Sequence, residues 1–151
     1  MNIDIEVRGI DAAKARLDVD VLGVLAPVLN RSALRMADQL RRYPSAPGAG
    51  EWKAKTSAKQ KRAFFALLRR GAISGKRTGR LGRGWVVSQS VSAGGIVTKL
   101  ANDVPYARFV QGDAQASFHR GRWTTDSIVV SGEIGRLELD AIGTLSSALG
   151  R

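Results

Sequence analysis

The chain has 151 residues, of which 44% are hydrophobic, and this suits one domain with a buried core, so we expect a single domain over residues 1–151. It carries 24 lysines and arginines against 13 acidic residues, a formal net charge of +11, and we expect an anionic partner. The absence of cysteine excludes disulfide bonds and thiolate metal sites, and no apolar stretch reaches the roughly 20 residues that a membrane-spanning helix requires.

The first half of the chain predicts a strand and a long helix. Apolar and charged side chains alternate from Ile3 to Val7, which predicts a strand with one buried face at the edge of a sheet. A short helix is expected over residues 11–17. Apolar residues then recur every three or four positions from Val21 to Leu40, which predicts a long helix with one buried stripe. Because proline lacks a backbone N–H, this helix either begins near Pro27 or is kinked there.

Breaker-rich and basic segments follow the long helix. Residues 44–50 combine prolines and glycines, which predicts a flexible loop. Residues 57–71 have the pattern of an amphipathic helix whose polar side is strongly basic. Residues 75–84 are rich in glycine and in cationic side chains, and we expect a basic glycine-rich loop there.

The second half predicts a β-hairpin and a C-terminal helix. Two β-rich runs, Trp85–Val91 and Ile96–Leu100, are separated by a link that contains glycine, and this arrangement is typical of a hairpin. The spacing of apolar residues from Ile134 to Leu149 predicts a final helix with one apolar face.

One segment holds half of the positive charge. No carboxylate lies between Glu51 and Asp103, yet 12 of the 24 basic residues do. Such a segment suits the phosphates of nucleic acid, with Trp52 or Trp85 stacking on bases, or it forms a solvated face or a contact with acidic patches of a neighbouring protein. Because Trp85 begins a strand, we expect it in the core. The residues expected to face DNA or an interface are Lys59, Arg62, Arg69, Arg70, Lys76, Arg77, Arg80 and Arg83.

The glycine-rich segment does not match a nucleotide-binding loop. Gly75, Lys76 and Arg77 suggest a phosphate loop, but arginine follows the lysine where serine or threonine is required. The glycines at positions 79, 82 and 84 lack the dinucleotide-binding spacing and do not follow a strand. We therefore expect no cofactor.

Titratable residues do not form a catalytic set in the sequence. His119 is the only histidine and lies beside Arg120 and Arg122, whose charges disfavour its protonated form and repel a metal cation. We expect a surface or interface histidine and no metal site. Asp18 and Asp20, two positions apart, stand before the long helix, where capping explains them. The protein is therefore not expected to be an enzyme.

Three elements of the chain carry a family resemblance. Thr78-Gly79-Arg80-Leu81 leads into Trp85-Val86-Val87, a glycine-containing hairpin follows, and Asn102-Asp103-Val104-Pro105-Tyr106-Ala107 and Phe109-Val110-Gln111-Gly112 come next, before Gln115, Phe118, His119, Arg120 and Trp123. This order resembles the small head-to-tail joining and tail-completion proteins of long-tailed bacteriophages and prophages. The motif residues are Gly79, Leu81, Trp85, Asn102, Tyr106, Phe109, Gly112 and Trp123.

The resemblance implies a fold and a role. The fold is α+β, with a long N-terminal helix and a C-terminal helix packed on a small antiparallel sheet, a basic middle helix and a glycine-rich loop. The role is structural: a ring, expected to be six-fold, at the junction of capsid and tail. Its partners would be further copies of itself, other neck and tail proteins and the DNA that passes through the channel. The protein would be found in the virion, and in the host cytoplasm during assembly.

Two alternatives remain open at the level of sequence. Tyr106, Phe109 and Trp123 are either rigid aromatic anchors of an interface or part of the core of the monomer. The basic segment from Lys53 to Arg83 also fits a different function, that of a sequence-nonspecific DNA-binding protein.

Overall fold

The computed structural model describes residues 1–7, 20–44, 57–70, 79–93 and 95–150. In this part of the chain the elements are β1 Asn2–Val7, α1 Val21–Arg41, α2 Ala58–Arg69, α3 Arg80–Arg83, β2 Trp85–Ser92, β3 Gly95–Asn102, α4 Ala107–Val110, a 3₁₀ turn Ser117–His119 and α5 Asp126–Ala148. The predicted helix over residues 11–17 lies outside the described residues. None of the helices in the described ranges is long and apolar enough to cross a bilayer.

The strands form one antiparallel sheet in the order β1-β3-β2. The central strand pairs with both neighbours, so that Leu100 lies between Ile3 and Val87. The predictions of an N-terminal edge strand and of a hairpin are therefore confirmed. With long helices before and after the hairpin, the predicted α+β fold is confirmed as well.

Helix α1 begins before its proline. The side chain of Asp20 accepts a hydrogen bond of 3.0 Å from the backbone N–H of Gly23 and so caps the first turn. Val21 and Leu22 are buried, which anchors this turn in the core. Pro27 is exposed and lies within the helix, so the alternative that the helix begins near Pro27 is wrong.

The core lies on both sides of α1, which packs against β2 and β3 and also against α5. One buried cluster contains Met36 and Leu40 of α1 together with Trp85, Leu100 and Val129. A second cluster contains Leu22 and Leu25, from the first turns of α1, and Ile96 of β3. Helix α5 packs Leu137, Ala141 and Leu145 against this second cluster. Helix α5 thus closes the fold mainly by packing on α1.

A buried ion pair joins α1 to α5. Nε of Arg35 lies 2.6 Å from Oε1 of Glu133, whose side chain is 5% exposed, and Nη2 of Arg35 lies 3.0 Å from Oδ2 of Asp140. The hydroxyl of Ser32 donates a further bond of 3.2 Å to Glu133. Burial lowers the pKa of Arg35, but its bonds to Glu133 and Asp140 outweigh burial, and the pKa is raised overall. The polar contact fixes α5 against α1.

The predicted loops are described only in part. The loop near 44–50 lies outside the described residues except for Pro44, and so do residues 75–78 of the glycine-rich loop. The prediction of a loop as far as residue 84 is wrong, because Arg80–Arg83 form one helical turn. Backbone bonds from Arg83 to Gly79 and from Gly84 to Arg80 close this turn, and its side toward the core buries Leu81. Gly79, with φ of +69°, adopts the left-handed conformation that glycine tolerates best.

Candidate assembly surface around the motif residues

The buried side chain of Asn102 connects the end of β3 to α3. Its Nδ2 donates a hydrogen bond of 2.9 Å to the carbonyl oxygen of Leu81, and its Oδ1 accepts one of 3.0 Å from the backbone N–H of Val104. Gly84 leaves room for this arrangement: a Cβ there would lie 2.6 Å from Oδ1 of Asn102 and 2.7 Å from Cγ2 of Val104. Asn102 therefore holds the turn before the hairpin against the turn that follows it.

Gln111, which follows α4, connects four parts of the fold. Its Oε1 accepts a hydrogen bond of 3.2 Å from the indole Nε1 of Trp85, and its Nε2 donates one of 2.7 Å to the carbonyl oxygen of Leu40. The backbone carbonyl oxygen of Gln111 accepts a hydrogen bond of 2.8 Å from the backbone N–H of Asp126. Both polar atoms of this buried side chain, Oε1 and Nε2, thus have a hydrogen-bond partner within the monomer.

A small apolar cluster completes this region. It consists of Leu81, Val104, Ala107, Val110 and Trp123, with Tyr43 against it. The rings of Tyr43 and Trp123 meet edge to face at 5.1 Å, and the Tyr43 hydroxyl accepts a hydrogen bond of 3.1 Å from the backbone N–H of Gly82. Trp123 therefore belongs to the core of the monomer, and so does Trp85, as predicted.

Gly112 is also needed by the fold. A Cβ at this position would lie 2.8 Å from both Cα of Arg108 and Sδ of Met1. The fold of the monomer itself therefore requires these motif residues: Leu81, Trp85, Asn102, Gly112 and Trp123.

The other two motif aromatics lie on the surface. Tyr106 is 44% exposed and Phe109 is 45% exposed, and the guanidinium of Arg108 lies 4.8 Å from the centre of the Phe109 ring. The sequence left open whether these three aromatics belong to the core or to an interface. Trp123 lies in the core, whereas Tyr106 and Phe109 are exposed and available for contact.

A surface pocket of about 190 Å³ lies next to these aromatics in the chain. It is lined by Arg80, Arg83, Gly84, Asp103 and Val104. We call the exposed residues of this region the motif surface: Arg80, Arg83, Asp103, Tyr106, Arg108 and Phe109. Three of its members are cationic and one is anionic, so the motif surface suits a partner that offers a carboxylate and apolar side chains.

The basic helix α2 is separate from the motif surface. Lys59, Arg62, Arg69 and Arg70 are exposed, and no carboxylate in the described ranges forms an ion pair with them. The helix buries Phe64 and packs against the 3₁₀ turn 117–119, whereas Arg80 and Arg83 belong to α3. Lys76, Arg77 and Trp52 lie outside the described residues. The basic residues of the acid-free segment, between Glu51 and Asp103, therefore lie on at least two elements, α2 and α3.

His119 is buried, so of the two expected positions, surface or interface, the surface position is wrong. Its ring lies 6.1 Å from that of Trp123 and edge-on to it, because the 3₁₀ turn carries it toward the apolar cluster. Burial, followed by the charge of Arg122, lowers the pKa of His119. In the described ranges no three His, Asp or Glu residues are grouped so as to hold a metal ion.

Helix α5 exposes a second apolar face that the sequence interpretation missed. On this face Ile128 is 63% exposed, Leu139 72% and Ile142 62%. Ile134 is 49% exposed as well, but helical spacing places it toward the packed side. The prediction of one apolar face is wrong, since Leu137, Ala141 and Leu145 pack on the core from another side. The apolar residues of both faces recur at helical spacing. The sequence alone therefore does not show which of them pack on the core and which are exposed.

Comparison of the chain with protein-family models, with curated proteins and with solved structures found no match. The resemblance to phage head-to-tail joining proteins thus remains a prediction that depends on the motif residues of the chain.

Proposed function

We propose that this protein is a non-enzymatic structural component of a phage neck or tail, which forms a ring where the capsid meets the tail. The observation that carries the proposal is that most motif residues are buried whereas two aromatic ones are exposed. Its buried members hold α3, the hairpin and α4 in one hydrogen-bonded unit, while Tyr106 and Phe109 are exposed on that unit. A rigid support that displays aromatic and arginine side chains is typical of protein contacts.

A ring requires two different surfaces on each copy, because each copy contacts one neighbour with one surface and the other neighbour with the second. The motif surface and the exposed face of α5 are two such surfaces. Neighbouring neck and tail proteins and the DNA of the channel would be further partners. The protein would thus be part of the virion, assembled in the host cytoplasm, and six-fold symmetry is what the family resemblance implies.

The proposal is tested with phage particles made without the protein. We expect heads and tails to accumulate unjoined under the electron microscope, and the infectious titre to fall. Complementation with the double variant Y106A/F109A should not restore joining. The matched control is L34A, because Leu34 is exposed to the same extent, at 44%, but lies on α1. If particles without the protein join heads to tails normally, the proposal is wrong.

A second candidate function is sequence-nonspecific DNA binding. It is favoured by the exposure of Lys59, Arg62 and Arg69 on a helix that carries no acidic residue, and of Arg70 directly after it. Cations that neutralise phosphates release counterions, so the logarithm of the binding constant should fall with the logarithm of the salt concentration by about 0.9 per phosphate contacted.

Fluorescence anisotropy with duplex DNA at several salt concentrations measures this slope. Replacement of Arg62 and Arg69 by glutamine should reduce this slope by the equivalent of about two phosphate contacts. The control variant R31Q/R136Q removes two exposed arginines from α1 and α5 and should leave the slope close to its original value. Binding that is absent, or that does not change with salt, would exclude this function.

A further inference from the structure

The exposed face of α5 has the spacing of a helix-packing stripe. We call Ile128, Gly132, Gly135, Leu139, Ile142 and Ser146 the α5 outer stripe. Their separations alternate between four and three residues, which places all six on one side of a helix. The first five are exposed, and the apolar members are the most exposed large hydrophobic side chains in the described ranges. None of the described residues therefore covers this face of α5.

No neighbour among the described residues requires the glycines of this helix. A Cβ added at Gly132, Gly135 or Gly143 would meet no atom of those residues within 4 Å. Glycine in a helix interior is destabilising relative to alanine, so three of them without an internal reason indicate an external one. Gly132 and Gly135 leave the surface between Ile128 and Ile142 without side chains and let another surface approach the helix backbone closely.

Charge points to what covers this stripe. Glu138 and Arg136 are exposed and flank it on opposite sides. The motif surface offers the complement, with Arg80 and Arg83 in its pocket and Asp103 at the same pocket. Its exposed aromatics supply apolar area for the isoleucine and leucine side chains of the stripe. With a formal charge of +11 on every copy, a contact between two copies needs such local pairing of opposite charges.

We propose that the α5 outer stripe of one copy binds the motif surface of a second copy, with the carboxylate of Glu138 in the pocket between Arg80 and Arg83. Tyr106 and Phe109 then pack over the shallow part of the stripe at Gly132 and Gly135. This inference depends on the proposed ring and assigns its two contact surfaces. Because the two surfaces differ, the contact continues from copy to copy and can close a ring, whereas a symmetric α5 to α5 contact would stop at a dimer.

Engineered cysteines test the contact directly, since the natural chain has none. We expect the single variants L139C and F109C to form no disulfide with themselves under mild oxidation. A mixture of the two should form a disulfide-linked dimer, and the double variant L139C/F109C a ladder of multimers. S92C is the control, because Ser92 is exposed at the far end of β2, and it should not link to either.

Two outcomes of the cysteine experiment would overturn the inference. A disulfide dimer of L139C alone would assign the stripe to a symmetric contact. No link between L139C and F109C at the highest soluble concentration would mean that the two surfaces do not meet.

A charge exchange tests the pocket. The variant E138R should lower the yield of the L139C–F109C disulfide by about tenfold, and so should R80E/R83E. Mixing copies that carry E138R with copies that carry R80E/R83E should restore the yield at that junction. The control R120Q, on an exposed arginine outside both surfaces, should leave the yield unchanged. A yield that E138R does not change would overturn the placement of Glu138.

The contact and the proposed function fail in different measurements. Disulfide formation reports the pairing of the two surfaces, whereas microscopy of particles without the protein reports head-to-tail joining. Linked multimers together with normal joining would retain the contact and reject the function. Unjoined particles together with a dimer of L139C alone would retain the function and reject the contact.

Discussion

The indole Nε1 of Trp85 donates its hydrogen bond to Oε1 of Gln111, at 3.2 Å and in the interior of the protein. The amide nitrogen of the same glutamine continues to the carbonyl oxygen of Leu40. The first residue of the hairpin, the end of α1 and the segment after α4 are therefore held by one side chain. Because water cannot replace these bonds in the core, their loss should be costly.

Replacement of Gln111 by leucine should lower the free energy of unfolding by about 2–3 kcal/mol, because it leaves the Trp85 N–H and the Leu40 carbonyl buried without partners. Urea denaturation followed by tryptophan fluorescence measures the change. The control is Q89L, since Gln89 is exposed although it also bonds to Ala26 and Thr98. That variant should cost less than about 1 kcal/mol. Equal effects of the two variants would contradict the assigned role of Gln111.

Gly84 and Gly132 should respond to alanine in opposite directions. The new methyl group at position 84 would collide with Asn102 and Val104, and we expect a loss of about 2 kcal/mol in the free energy of unfolding. At position 132 it would meet no atom of the described part of the chain within 4 Å, and a gain of about 0.5–1 kcal/mol is expected from helix propensity. Thermal and urea unfolding of both variants check the sign. A stabilised G84A would be inconsistent with the close approach of Asn102.

Arg35 should matter far more than an exposed arginine of the same helix. Its removal leaves the buried carboxylate of Glu133 without its main cationic partner, so R35A should cost about 3 kcal/mol. Arg31 is exposed one turn earlier on α1, and R31A should change stability by less than about 0.5 kcal/mol. The same unfolding measurements compare the two. A small effect of R35A would show that the ion pair does not hold α5 in place.

His119 should make the fold sensitive to mild acid. Its pKa is lowered in the folded chain, by burial and by Arg122, relative to about 6.5 in the unfolded chain. The unfolded state therefore binds more protons between these two pKa values, and the free energy of unfolding should fall as the pH drops below about 6.5. Above that pH His119 contributes no dependence, and below the folded pKa its contribution stops growing.

The variant H119Q removes this titration. Unfolding measured from pH 7.5 to pH 5 should show a smaller slope in H119Q than in the natural protein, by up to one proton's equivalent. NMR titration of the single histidine gives its folded pKa directly. A folded pKa at or above the ordinary value for histidine would contradict the inferred effect of burial.

Much of this architecture follows from local pattern. The alternation at Ile3–Val7, the helical spacing of α1 and the glycine-containing link of the hairpin are properties of neighbouring residues, and they were sufficient to predict the elements and the α+β class. The extent of the acid-free segment is likewise written in the sequence.

Apart from that of Trp85, the burial of the motif residues could not be predicted in this way. Gln111 bonds to Leu40, 71 positions earlier, and Asn102 to Leu81, 21 positions earlier. These pairings exist only after the chain has folded, and no local period encodes them. Thus the motif residues could be chosen from the sequence, but their division into buried and exposed residues could not be predicted from it.

The sequence by itself determined where the long helices and the strands form, because backbone conformation depends on side chains a few positions apart. It also determined that the positive charge is concentrated in one segment. Only the tertiary structure decided that Trp123 and His119 turn inward while Tyr106 and Phe109 remain outside, and which of the two apolar sides of α5 packs on α1. The physical reason is that burial is a property of contacts between distant parts of the chain, and the residues left over from that packing are the ones available for assembly.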